Sequence, residues 1–528
     1  MNVKRIGIIG CGAMGLYTLK NLVDSAAPVE IHVFDSAEEP GKGMPYNEGM
    51  NAEFMLCNAF SREIPVLTQS LAQWLKGQST AELGEWELRH DDIDSRAFYP
   101  RVLIGEFLAA EFEALCSVAR NAGHRVHVHL GVRVDDITVK QESACMVYQT
   151  DGVAEHLVLD TVIIATGHDW PSKPQIDGVE LQSPWPYTNI TEQEPGRIGI
   201  LGSSLSAVDI VVTLGQTHGE FIEHADHVSW LANEDSNALN VTMVSRNGIM
   251  PEGDFYYPFP YEPLSCITEA AVAAEVDRGN SGLLQRVFEL LLKELDAVDP
   301  AYLALLGKEA RTVDGFALAY FKDREKRGGL EAVREDLQEV RASMRRKETI
   351  AYRYALLRGH ENMEIALPSL AESEWELFKQ HLLPVFADCY AALPHLSIAR
   401  ILAMKDAGAL SIVASGDEAA FTRTASGLVQ VEYNGEQQTF DCMFDARGQS
   451  SAPLSELHFP SLVQALQDPS SPILDPYKLA FSMETKASIY CLALPQVLER
   501  YPFSQGLPNC HELSRRVVAD VLEANSGS

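Results

Sequence analysis

Apolar positions along this chain follow two rhythms. Short mainly apolar runs at residues 6–9, 31–34 and 157–164 predict strands buried on both faces, as in parallel sheets. Leu16, Leu19 and Val23 keep helical spacing and predict a helix directly after the first run. Residues 96–123 read as one long amphipathic helix, followed by strand-like runs at 126–130, 132–137 and 146–148, a crossover and then a small antiparallel meander. A second strand–turn–helix begins at Arg197, with Ala207, Ile210 and Val211 facing inward, and its next strand is 241–244. Residues 268–408 read as almost wholly helical, with helices over 270–296, 330–347, 372–390 and 397–407. Strands return at 409–414, 429–433, 440–444 and 488–494, and a helix closes the chain after Leu507.

Alternating strands and helices predict an α/β fold with two Rossmann-like dinucleotide-binding domains, the first of them discontinuous, and a helical insertion. The expected division is 1–195 for the first domain, 196–265 for the second, 266–408 for the insertion, and 409–528 for the return to the first. A chain of 528 residues needs more than one core, and 46% hydrophobic residues suffice to build several.

The loops carry the chemistry. Gly10-Cys11-Gly12-Ala13-Met14-Gly15 stands between a strand and a helix, the context that the G-x-G-x-x-G fingerprint requires. Such a turn lets a pyrophosphate approach the backbone at a helix N-terminus. The second apolar run ends in Asp35, about 20 residues past Gly15, where an acid hydrogen-bonds a ribose. In the following loop Gly41 and Gly43 would let backbone pass close to a flavin, Met44 supplies apolar wall and Asn58 can bond a ring edge; packing without ligand contact is the alternative. Thr166 and Gly167 close a strand on small residues. His168 beside them is either an acid–base group or a structural side chain. Gln505, Gly506 and Leu507 open the last helix and offer a second N-terminal dipole.

The second turn places Gly202, Ser204 and Ala207 at the three small-residue positions, with Ser206 beside them. Its answering strand ends in Ser245-Arg246, not in an acid. An arginine there favours a ribose 2′-phosphate, hence NADP(H). Arg447 and Gly448 end another strand, echo the turn at Thr166, and are read as part of the return to the first domain.

Charge and cysteine usage narrow the partners. A net charge of -32 argues against nucleic acid or an anionic membrane. Without a signal peptide or an apolar run of about 18 residues, a cytoplasmic location is expected. The nine cysteines include no C-x-x-C pair, and Cys11 reads as a small turn residue. His218, His224 and His227 match no established ligand spacing, and no metal site is expected. Pro251–Pro263 is too rich in proline for helix and too aromatic for a solvated loop; Tyr256, Tyr257 and Tyr261 either line a cavity or pack a junction.

Taken together, GCGAMG, VFD, GKGMPY, MLCNAF, FYPR, ATGH, GSSLSA, VSR, PEGDFYYP and DARG closely resemble a bacterial family of FAD/NAD(P)-binding proteins with two Rossmann domains. Its wider relatives include N-hydroxylating flavin monooxygenases of amino acids and diamines. The resemblance implies FAD at Gly10, Gly12, Gly15, Asp35, Asn58, Thr166, Gly167 and Gly506, and NADPH at Gly202, Ser204, Ser206 and Arg246. It also brings Arg101, Tyr256 and Tyr257 near the flavin. Compared with lysine and ornithine hydroxylases, ATG precedes the second turn and Ser204-Leu205-Ser206 replaces their G-Q-S, so their substrate residues do not transfer. The implied activity is an NADPH-using flavoprotein monooxygenase acting on a small amine or amino acid. A flavin reductase or oxidase and a non-catalytic flavin-bound sensor are the alternatives. The catalytic side chains and the oligomeric state stay open.

Overall fold

Ile6, Ile8, Ile31 and Val33 are completely buried because the strands that carry them lie inside a parallel sheet. The computed structural model describes residues 3–25, 28–150, 152–225 and 227–523. In it β1 (Arg5–Ile9) is followed by α1 (Ala13–Val23), and β2 (Glu30–Phe34) pairs with β1 in the register Ile6↔Ile31 and Ile8↔Val33. The long helix α2 (Arg101–Asn121) buries Phe107, Leu108 and Phe112 and crosses over to β3 (Arg125–His129), which pairs with β2. The antiparallel meander Val134–Val139, Ala144–Thr150 and Val153–Leu159 comes next. The chain then re-enters the parallel sheet as β4 (Thr161–Ile164), beside β1. The apolar run expected as one strand over 157–164 is thus two strands of two sheets. They divide at Asp160, whose carboxylate accepts the Arg5 backbone N–H at 2.8 Å and fixes the point of exchange.

The chain forms two units, Met1–Asp169 with Gln449–Ser528, and Trp170–Gly448. The second unit is built on β5 (Arg197–Leu201), α3 (Leu205–His218), β6 (Asn240–Ser245), β7 (Leu410–Ala414) and β8 (Cys442–Asp445). Its four strands run parallel in the order β7-β6-β5-β8. This corrects the expected division. Residues 409–448 do not return to the first sheet, because Leu410 pairs with Val241 and Cys442 with Ile198. Residues 170–195 also belong to the second unit, where the Gln182 N–H donates to the Met443 carbonyl at 2.8 Å.

The insertion is helical as expected, with one difference. Residues 270–296 form two helices, Glu269–Asp277 and Leu283–Val298, separated at Gly279 and Gly282, whose φ values of 98° and 67° leave the helical region. Thr268 Oγ1 caps the first by accepting the Ala271 N–H at 3.1 Å, and Asp299 caps the helix that follows through Tyr302.

From Gln449 the chain is back in the first unit. β9 (Ser488–Cys491) pairs with β4 and completes the order β9-β4-β1-β2-β3. The last helix, α4 (Leu507–Glu523), packs along α1: Asn21 Nδ2 donates to Ser514 Oγ at 2.8 Å, and the Tyr17 and His511 rings lie 5.5 Å apart. These contacts make the two helices run the same way, so their N-termini lie level. Among the described residues no helix is long and apolar enough to cross a membrane.

Candidate nucleotide sites

In the first unit the turn after β1 is shaped by backbone meeting backbone. The Gly10 N–H donates to the Phe34 carbonyl at 2.8 Å, its φ is 99°, and a Cβ there would lie 2.3 Å from the Ala165 carbonyl oxygen. Only glycine fits where three parallel strands end together. Gly12 caps α1 without a side chain, and a Cβ on it would come to 3.1 Å from the Gly43 Cα. The Gly41 N–H donates to the Cys11 carbonyl at 2.8 Å, which lays the 38–51 loop against the turn. Asp35 ends the next strand; its Oδ2 accepts the Cys11 N–H at 2.6 Å and its Oδ1 the Ala37 N–H at 2.8 Å. The carboxylate keeps further lone pairs for ribose hydroxyls.

The other expected residues of this site fall around the same sheet end with different exposures. Gly15 packs α1 on the Gly10 carbonyl, and Met14 is part of the apolar core. Met44 and Asn58 are half-buried, and the Met44 carbonyl accepts Asn51 Nδ2 at 2.9 Å. Thr166 is exposed at the end of β4, and the Gly167 carbonyl accepts the Leu494 N–H at 3.0 Å. Gln505 and Gly506 are exposed and Leu507 buried, at the helix start that lies level with α1. Burial, then the nearby Arg101 charge, lowers His168 to about 4, which leaves its ring neutral. Burial also pushes the Cys11 thiol far up, so it stays protonated and unreactive.

Sequence reasoning missed Lys42. Its side chain is 4% exposed, and its Nζ lies 2.6, 2.9 and 2.8 Å from carboxylates of Glu39, Glu48 and Glu106. Burial alone would lower its pKa, but hydrogen bonds to Glu106, Glu39 and Glu48 outweigh burial and raise it. The ammonium is committed to holding the loop and is not available to a phosphate. Glu39 and Glu48 on either side of the Gly-Lys-Gly were the available signal, whereas Glu106 is brought in by α2 from 64 residues away.

The second unit repeats the first turn. The Gly202 N–H donates to the Val244 carbonyl at 2.8 Å, its φ is 123°, and a Cβ there would lie 2.8 Å from the Ala446 carbonyl oxygen. Ser204 is the exposed N-cap of α3, Ser206 is half-buried in its first turn, and Ser203 Oγ donates to the Ile249 carbonyl at 2.6 Å. The Ser245 carbonyl accepts the Ser415 N–H at 2.9 Å. Arg246 is exposed at the end of β6, with its Nε 2.9 Å from Asp417 Oδ1. Arg447 and Gly448 close β8 of this sheet, which corrects their assignment to the first domain. Ala446 stands to Gly202 as Ala165 stands to Gly10, so the echo marks an equivalent strand end. Arg447 is engaged by Asp445 through Nε at 2.9 Å and Nη2 at 2.7 Å.

The proline-rich segment after Met250 packs against the helical insertion within this unit. The Gly253 N–H donates to Asp336 at 2.6 Å, the Tyr256 N–H to Ser343 at 3.0 Å, and the Arg358 guanidinium lies 3.9 Å from the Tyr261 ring centre. Buried Glu252 sits 3.0 Å from Arg353 and 3.8 Å from Arg324, which also binds Asp388 at 3.1 Å. His218 bonds Ser236 at 3.3 Å, whereas His224 and His227 stack in a hairpin at 4.4 Å.

Residues 7–169 match the FAD-NAD(P)-binding family, and residues 268–390 match the YdhS-like middle domain. The first unit therefore contains an FAD/NAD(P)-binding domain. Over 528 residues the chain is 34% identical to the uncharacterized protein YdhS of Escherichia coli (strain K12), spanning 99% of this chain and 98% of that protein. The chain belongs to the YdhS family. Among solved structures it is similar to Kutzneria sp. 744 ornithine N-hydroxylase, at 14% identity and a TM-score of 0.49 over 99% of this chain and 100% of that one. It is also similar to L-lysine 6-monooxygenase from Pseudomonas syringae, at 14% identity and a TM-score of 0.46 over the same shares.

Proposed function

We propose that this protein is an FAD-dependent, NADPH-using monooxygenase that oxygenates a small nucleophilic substrate, an amine or amino acid. The observation that carries the reading is the contrast between the two answering strand ends. Asp35 closes β2 of the first unit and Arg246 closes β6 of the second, so the two turns select different nucleotides. The first turn fits FAD: its glycine positions leave no room for a Cβ, and Asp35 orders the loop while offering acceptors to a ribose. The second fits NADPH, with exposed Ser204 at a helix N-terminus and the Arg246 guanidinium for a 2′-phosphate.

Bound FAD supplies electron transfer from NADPH to dioxygen, chemistry that side chains lack. The chain's part is to bind, orient and exclude water. Gly10, Gly12 and Gly15 admit the pyrophosphate to the N-terminus of α1. His168, held neutral, can accept or donate one hydrogen bond at the sheet end without adding charge. All nine cysteines are free and none forms a disulfide, and burial raises Cys11, Cys57, Cys116, Cys389 and Cys491, which favours a reaction carried by the cofactor over dithiol exchange. The substrate class rests on the motif resemblance.

The test is NADPH-driven oxygen consumption by the purified flavoprotein against a panel of amines and amino acids, with product mass measured. A product heavier by one oxygen supports the reading. NADPH oxidation that follows an added quinone or dye and yields no oxygenated product replaces it with a reductase. Flavin that NADPH fails to reduce without oxygen replaces it with a sensor.

A further inference from the structure

On the outer edge of the first sheet, alternate residues of β2 and β3 put imidazoles where a half-buried strand face usually carries apolar side chains. Ile31, Val33 and Val126 face the core, while Glu30, His32 and Phe34 share the other face with Arg125, His127 and His129. The register sets His32 directly across from His127. Their rings stack with centres 4.5 Å apart, and ligand atoms of Glu30, His32 and His127 all lie within 4.8 Å of one another.

We propose that Glu30, His32 and His127 form a site for a divalent transition metal, best matched by zinc, with water completing the coordination. Two imidazoles and one carboxylate are a zinc ligand set, and nitrogen with oxygen donors selects zinc over magnesium or calcium. Supporting bonds are already in place. His32 Nδ1 lies 3.2 Å from His129 Nε2; when it donates there, His32 Nε2 presents a bare lone pair toward Glu30 Oε1 at 3.1 Å. A cation between those two acceptors resolves their opposition, and the His32–His129 bond fixes the tautomer, as second partners of metal-bound histidines do. Arg125 binds Glu30 Oε2 and orients the carboxylate. Arg5, 3.4 Å from Oε1, has a partly exposed side chain and turns out to solvent when the metal enters. His127 is exposed, which supplies the entry path.

The site is separate from nucleotide chemistry. Glu30 begins the strand that Asp35 terminates, and five residues of extended chain span about 16 Å. The metal joins the edge strand β3 to β2 along the first half of the pair, and its nearest ligand, His32, is three residues of extended chain, about 10 Å, from Asp35.

The experiment uses tag-free, full-length flavoprotein stripped with chelator and titrated with zinc alone, then with cobalt(II) to read its visible absorption. One equivalent of zinc is expected, with the cobalt spectrum of a site having nitrogen ligands. His127→Ala and Glu30→Gln each lower the affinity by more than the loss of a supporting partner does, which is about 10- to 100-fold, while flavin content stays the same; His127 is exposed, so its replacement leaves the core intact. His129→Ala, which removes the supporting bond and leaves every ligand, lowers it by about 10- to 100-fold. No zinc bound at micromolar concentration, or zinc held equally well by both ligand variants, overturns the site.

Discussion

The carboxylate of Asp35 accepts the backbone N–H of Cys11 at 2.6 Å, tying the acid of the second strand to the turn after the first. One oxygen serves the turn and the other the Ala37 N–H, so the acid orders both the turn and the loop that follows it. Asp35→Ala removes both acceptors and the ribose partner. A lost charge-assisted hydrogen bond is worth about 1.5–3 kcal/mol. FAD affinity is expected to fall about 10- to 100-fold, read by flavin fluorescence titration of the apoprotein. Asp35→Asn keeps one acceptor and falls between. Unchanged FAD affinity in the alanine variant would remove Asp35 from the site.

Arg246 and Asp417 are expected to govern the nucleotide preference of the second unit. Both are exposed, so their ion pair at 2.9 Å contributes little to stability. A 2′-phosphate offers the guanidinium a doubly charged partner in place of Asp417. Arg246→Ala is expected to raise the NADPH KM by about 10- to 100-fold and leave the NADH KM within about twofold. Asp417→Asn frees the guanidinium and lowers the NADPH KM. Steady-state flavin reduction with each nucleotide checks both.

What the sequence revealed, and what it hid, follows from how local each signal is. The two turns were legible because a strand, three small residues and a helix lie within about 20 residues, and each strand end supplied its own acid or arginine. The echo between Thr166 and Arg447 was also legible, but its meaning depended on pairing. Ala165 meets Gly10 and Ala446 meets Gly202 in separate sheets, a long-range fact that neither strand encodes. The run 157–164 hid a change of sheet because Leu159, Thr161 and Val162 are all buried and only Asp160 among them is charged and exposed. His32 lies 97 residues before His129 along the chain, and it meets His127 and His129 only through strand register.

Lys42 makes a stability prediction. Its buried ammonium binds three acids whose side chains are 47–56% exposed, so solvent screens each pair. Lys42→Met leaves the three like charges facing one another and frees the 38–51 loop. The expected cost is about 1–2 kcal/mol, below the range for a fully buried pair. Calorimetry should show a melting temperature lowered by a few degrees, and hydrogen exchange should rise first in that loop. Because Gly43 packs on Gly12, FAD affinity should fall as well.

Glu252 predicts the pH dependence of the second unit. Burial raises its pKa from the ordinary 4.5 to about 7, against the pull of Arg353 and Arg324. The folded chain therefore holds this proton at pH values where the unfolded chain has released it. Stability rises with pH wherever the unfolded state binds more protons, and here the folded state binds more, so the Glu252 contribution falls as pH rises from about 4.5 to about 7 and is level above. Glu252→Gln carries no proton to lose. Subtracting its urea-midpoint profile from that of the native chain over this interval should leave a difference that declines toward pH 7, cancelling the histidines and carboxylates common to both. Between pH 7 and 8 the two profiles should run parallel. A difference that rises with pH would mean that Arg353, at 3.0 Å, holds Glu252 ionised and that burial does not set its charge.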